Sequence, residues 1–267
     1  MRRIAAWICA LLFTVSCGDP SPPVSKTGDV GVDGGAEAGG DAQPDAQPEP
    51  DAQPDPSPEG DVPLEGFGEI SGECGVLDEV DLRGSEPGFV VNHINFAMDP
   101  FDDPEDVEEL SGGGQQILED GNAGGSSLLS EVFSFETLHR CELARLLKTE
   151  TTIVYDDPMG KITDLLVEID TLKVGVSVTR AVGFPRDAPY TVDDAAPLLE
   201  RKLNGVLDSS SNVSQEDAWT KQILHIIAYE ERHADAMSQA FDLMSDVVKA
   251  DTIVIVTVSD GDDEFLY

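Results

Sequence analysis

The chain has 267 residues, with 16 Lys and Arg against 53 Asp and Glu and a formal charge of −37. That sign excludes a nucleic-acid coat or a basic membrane-surface module, because phosphate-rich partners would be repelled. Only 40 % of residues are hydrophobic, and 25 Gly with 17 Pro set part of the chain outside any packed core.

Arg2 and Arg3 precede an apolar run over 4–15, a charged segment and a short hydrophobic segment as in a secretory signal, too short for a span of ~20 residues. Thr14, Val15, Ser16, Cys17 and Gly18 resemble a bacterial lipobox, with Thr14 where Leu is usual. The resemblance implies removal of residues 1–16, a lipid on Cys17 as the membrane contact, and an outer-membrane location in the cell envelope, since Gly18 is not Asp. Residues 17–66 follow as a disordered acidic Pro/Ala/Gln tether in which an Asp-Ala-Gln-Pro unit starts at Asp41, Asp45 and Asp51. Such a composition buries too little apolar surface to offset ~1–2 kcal/mol of ordering per residue. At ~3.1 Å per residue in polyproline II, the tether reaches on the order of 100 Å.

Residues 67–126 read as an acidic, Gly-rich arm of undefined fold, with an edge strand over 89–97, a short helix over 99–109 and flexible linker after 111. The 121–127 run lacks the Lys of a phosphate-binding loop. Once Cys9 is removed and Cys17 lipidated, Cys74 and Cys141 are the pair left to form a disulfide in an oxidising envelope.

Residues 127–267 carry the folded domain. Apolar residues from Leu128 to Leu147 recur on one helical face, so a helix is predicted over 128–148. A β-branched strand follows over 151–155. Asp157, Pro158 and Gly160 fit a type I turn, leading to a strand over 161–170, a tight turn at 171–172 and a strand over 173–180. Helices are predicted over 193–207 and, after the capping-box start at Ser214, over 214–249 with a break near 229–233. The β-branched run 252–258 is a strand buried on both faces. The fold class is α/β: a mixed four-stranded core sheet flanked by helices, in helix-strand-strand-strand-helix-strand order.

That order resembles the restriction-endonuclease-like core, the PD-(D/E)xK superfamily, over residues 128–258. A turn at 171–172 pairs 164 with 179 and 166 with 177. One face then carries Leu165, Val167, Ile169, Val174, Val176 and Val178, and the other Asp164, Leu166, Glu168, Asp170, Lys173, Gly175, Ser177 and Thr179. In the family an Asp on the second strand and a carboxylate-x-Lys on the third hold a divalent metal and act on the attacking water, because Mg²⁺ takes hard oxygen ligands. Asp164 fits the first place, while Ser177 and Thr179 stand where the carboxylate and lysine are expected. Lys173 is ~20 Å along the strand from Asp164, and Lys161 and Arg180 have the wrong parity. Glu136 or Glu142 on the first helix would have to supply a second ligand.

Two function classes follow. The first is an envelope-anchored lipoprotein displaying a nuclease-like domain with an altered, non-catalytic site for an unknown envelope or extracellular partner; charge disfavours nucleic acid. The alternative is a Mg²⁺-dependent phosphodiesterase or nuclease with Asp164, Ser177, Thr179 and Arg180 as catalytic candidates and Asp164 and Glu142 as metal ligands. No cofactor other than Mg²⁺ is implied. Gly175-Val176-Ser177 reads as strand rather than as a nucleophile turn, the single Glu230-x-x-His233 is half of a di-metal pattern and reads as solvated surface, and His225 reads as a partly buried packing residue.

Overall fold

In chain order the computed structural model contains β1 (Glu69–Gly72), α1 (Glu79–Arg83), β2 (Gly88–Asn95), α2 (Pro104–Glu108), α3 (Gly112–Asp120), α4 (Leu128–Glu142), β3 (Arg145–Thr149), β4 (Leu165–Ile169), β5 (Leu172–Ala181), α5 (Val192–Asn212), β6 (Lys221–Ala228), α6 (Glu231–Leu243), α7 (Asp246–Lys249) and β7 (Ile253–Asp260), with a final 3₁₀ turn at Glu264–Leu266. It describes residues 65–123 and 125–267. The signal, the lipobox with Cys17 and the tether up to residue 64 lie outside the described residues. No helix among the described residues is long and apolar enough to cross a membrane.

The fold is mixed α/β, with seven strands in one sheet of order β1-β2-β7-β6-β5-β4-β3 rather than the four expected. The centre is parallel, β2 with β7, β7 with β6 and β6 with β5, and the two margins are antiparallel. The expected order is carried by α4, β3, β4, β5, α5 and β6, so the strand that completes it is β6 and not 252–258.

Three local corrections account for the difference. All eight residues of β6 are buried, in a stretch expected to be helical. In a run this apolar, Ile223 and Ile226 fit a helix spacing by density alone, and burial on both faces selects a strand. Residues 88–95 lie inside the sheet rather than at an edge, so residues 67–126 contribute β1, β2 and three helices to the same compact unit as the rest of the sheet. Finally, α4 stops at Glu142 because Leu143 takes a left-handed conformation, φ 53° and ψ 32°. The strand therefore falls on 145–149, and the expected one at 151–155 supplies only a bridge from Tyr155 to Val213.

Asp170 and Thr171 both have positive φ, 47° and 67°, the signature of a two-residue hairpin turn whose twist matches its strands. The turn pairs Ile169 with Leu172 and Leu165 with Val176. The turn sits one residue earlier than expected, so the pairing slips by two, the two faces keep their composition, and position 164 falls opposite 177 instead of 179.

Each face of the sheet buries its own core. Phe133 and Phe135 of α4 pack with Val167, Val174, Val176, Ile223 and Ile255 on one side. Leu199 and Leu203 of α5 and Met237 of α6 pack with Leu224, Ile226 and Val254 on the other. A polar chain crosses the first core: Ser134 Oγ lies 2.6 Å from His225 Nδ1, His225 Nε2 lies 2.6 Å from Thr257 Oγ1, and Thr257 donates to Asn92 Oδ1 at 2.6 Å. Burial pushes His225 down to about 3, so it stays neutral. It is fully buried, not partly. His233, expected on the surface, is also fully buried, its ring tilted 34° against that of Tyr190 at 4.4 Å between ring centroids. Cys74 and Cys141 are joined, Cα atoms 4.6 Å apart, tying the β1–α1 segment to the last turn of α4.

Candidate functional site

β5 is ten residues long and β4 five, so β5 runs on beyond its partner. Past Val176 there is no β4 residue left to bond Val178, and Asp164 takes that place. Its backbone N–H donates to Val176 O at 3.1 Å, and its Oδ2 accepts from Val178 N at 2.6 Å. From α5, Lys202 Nζ donates to Val178 O at 3.3 Å. One strand residue therefore holds a carboxylate and an ammonium side by side.

Burial pushes the Asp164 carboxyl up to about 7. The Val178 N–H and Lys202 oppose the rise, and Glu131 and Glu150 add to it. Lys202 moves the other way: burial lowers it, Asp164 opposes this, and Arg201, Lys161 and Arg180 push it further down. Three cations thus act on one lysine in a domain that has 12 Lys and Arg against 26 Asp and Glu over 127–267.

Glu131 lies in the first turn of α4 and is buried. Its Oε1 accepts from Asn122 Nδ2 at 3.0 Å and from Ser127 Oγ at 2.9 Å. Burial raises its pKa, and the two hydrogen bonds counter this. Arg180 closes the side: its guanidinium donates to Ser126 Oγ at 3.2 Å and to Leu266 O at 2.8 Å.

Of the residues singled out from the sequence, Asp164 and Arg180 belong to this cluster. Ser177 is buried, with its hydroxyl 2.9 Å from Thr163 Oγ1, so it braces the residue before Asp164. Thr179 lies half-buried two residues along the same sheet face. Glu142 is not with Asp164: its oxygens accept from the backbone N–H of Gly75, Val76 and Leu77 at 3.1, 3.3 and 3.0 Å. Glu136 is likewise held, by Ser111. Lys173 turns away and donates to Glu216 O at 2.8 Å. The residues that sequence reasoning missed are Glu131, Glu150, Arg201 and Lys202. One signal was present for the last two: they are the only cations in α5.

The donors suit a hard divalent cation. Glu131 acts electrostatically on Asp164, and among the described residues no group of three or more His, Cys, Asp or Glu is arranged to hold a metal. Mg²⁺ commonly takes one or two protein carboxylates and completes its shell with water and phosphate.

No protein-family model matches the chain. Among curated proteins, the AAC-rich mRNA clone AAC4 protein of Dictyostelium discoideum is 41 % identical over 164 residues, covering 59 % of this chain and 24 % of that protein. The chain thus spans about a quarter of that relative's length. Among solved structures, the structure of Pyrococcus furiosus SfsA in complex with Ca²⁺ aligns over 50 % of this chain and 56 % of that chain, at 14 % identity and a TM-score of 0.26.

Proposed function

We propose that the domain is a nuclease-like, Mg²⁺-dependent phosphodiester hydrolase, carried on the outer membrane by a lipid on Cys17. The observation that carries this reading is the meeting of Asp164 and Lys202 on Val178 with Glu131 acting on the same carboxyl. The pattern read along β5 lacks a lysine, and Lys202 of α5 supplies one from a different element.

Asp164 and Glu131 would hold the cation, which when bound polarises a phosphoryl oxygen. Arg180 and Arg201 offset charge on the phosphate. Lys202 Nζ, desolvated and crowded by cations, releases its proton more readily than an exposed lysine and can accept one from an attacking water; protonated, it neutralises charge on the phosphoryl oxygens. Ser177 keeps the 163–164 segment in place and does not touch substrate. Since Asp164 ionises only near pH 7, cation binding strengthens as pH rises through that value.

The test is hydrolysis of bis-p-nitrophenyl phosphate by the full chain with Mg²⁺. Asp164→Asn and Lys202→Met should each lower turnover by at least ~100-fold, within the range for a positioned acid–base group, with thermal unfolding still cooperative. Saturable Mg²⁺ binding, lost in Asp164→Asn, with no turnover on any phosphodiester would replace this reading with the non-catalytic binding domain.

A further inference from the structure

β1 covers only half of β2. Its four residues pair with residues 92–95, so the first half of β2, residues 88–91, has β7 on one side and no strand on the other. The chain follows β2 one step further, with Glu73 N donating to Val91 O at 3.1 Å, and then leaves it. The clamp on α4 draws it off: Gly75, Val76 and Leu77 donate to Glu142, and Cys74 is bonded to Cys141. Backbone groups of successive strand residues point to opposite sides. Val91 faces the β1 side, and Gly88, which donates to Thr252 O at 3.3 Å, faces β7. Phe89 therefore turns its N–H and C=O to the side that the chain has left, and no hydrogen bond among the described residues meets them there.

That open edge is one wall of a cavity of about 390 Å³. Leu77, Val80, Phe89 and Ile253 line its apolar part, and Val80 is 77 % exposed. Glu73, Asp81 and Glu86, all exposed, line its rim, and no Lys or Arg is among the described residues that line it. Lys221 lies behind, buried and donating to Gly84 O and Glu86 O, one cation against three carboxylates. Backbone donor and acceptor, apolar room and negative charge thus meet in one place, with β7 and β6 between it and β5.

We infer that this groove docks an extended, basic peptide segment that adds to β2 at Phe89, with alternate apolar side chains in the cavity and Lys or Arg at the rim. In strand addition of this kind, main-chain hydrogen bonds supply affinity, and pockets for every second side chain supply specificity. Charge selects among the occupants. Residues 17–64 hold Lys26 as their one cation among many carboxylates, and a second copy of the domain is acidic as well, so the rim repels both. A basic segment of another protein is attracted.

The test is binding of a fluorescein-labelled hexapeptide of alternating Lys and Val to the full chain by anisotropy, with the alternating Glu and Val peptide as its counterpart. Wild type should bind the first saturably and the second at least ~10-fold more weakly. In a strand the N–H groups of alternate residues point to one edge. Methylating the backbone nitrogens of one residue type should therefore weaken binding by about 10-fold, the effect of one or two hydrogen bonds, and methylating those of the other type should not. Val80→Ser, at an exposed position where the melting temperature should not move, should weaken binding by at least ~5-fold. Glu86→Lys should also weaken it, and the peptide should slow deuterium exchange at the Phe89 amide. Equal affinities for the parent and both methylated peptides, or for wild type and Val80→Ser, overturn the inference by reducing the attraction to net charge; absence of saturable binding overturns it outright.

Discussion

The two ends of α4 use the same chemical group for opposite purposes. At the carboxyl end, Glu142 accepts three backbone N–H groups from residues 75–77, beside the Cys74–Cys141 bond. At the amino end, Glu131 accepts from the side chains of Asn122 and Ser127 and acts electrostatically on Asp164. Burial raises the pKa of both. A raised carboxyl is therefore no mark of function by itself; the partners are. Three backbone donors make Glu142 a clamp between segments, while Glu131 is held by side chains and acts on the Asp164 carboxyl.

Several changes would break or sharpen that contrast. The largest effect is expected at the clamp. Replacing Cys74 and Cys141 by Ser opens a loop with a sequence separation of 67 and should lower stability by about 4 kcal/mol in urea titration, with Mg²⁺ affinity unchanged once folding is restored. At the site, Asp164→Asn should stabilise. The native carboxyl binds its proton up to about 7 rather than 3.8, so the wild type loses stability as pH rises between those values and the variant does not. Melting at pH 8 should favour the variant by roughly 4 kcal/mol and at pH 4 by nearly nothing; equal pH profiles would show that Asp164 is not held protonated. Glu142→Ala strands three backbone donors and should cost about 2 kcal/mol without weakening Mg²⁺, while Glu131→Gln should weaken Mg²⁺ in calorimetry. The smallest change is Ser177→Ala, expected to cost about 1 kcal/mol through the lost bond to Thr163 and to leave turnover alone; a large drop in turnover would return Ser177 to the substrate.

The division between what the sequence allowed and what it withheld follows from how contacts are made. The faces of β4 and β5 were legible because side chains alternate in a strand, and Asp164 stood out as a carboxylate at the start of one. Glu131 and Glu142 are eleven residues apart, about three helical turns and ~16 Å, so they share a helix face, and spacing alone cannot say which turn meets the strand. Lys202 was hidden because α5 meets Val178 only through the crossover between β5 and β6. β6 itself was misread because a run that is apolar on every side has no period. The edge role expected for β2 failed for a related reason: a short strand beside acidic and glycine-rich stretches looks peripheral until its parallel neighbour, more than 150 residues later in the chain, is known.

The chain of hydrogen bonds from Ser134 through His225 and Thr257 to Asn92 has a consequence for how the sheet assembles. Its four members come from α4, β6, β7 and β2, and each is at most 2 % exposed. If β6 slid by one residue, His225 would turn to the opposite face and Ser134 and Thr257 would each lose a buried partner; if β7 slid, Thr257 would turn away from His225 and Asn92. Apolar contacts among Ile and Val would tolerate such a slide, since one branched chain replaces another. The polar thread works like the teeth of a key: three interchangeable parallel strands are admitted in one alignment, and the misaligned sheets that hydrophobic collapse alone would accept are refused.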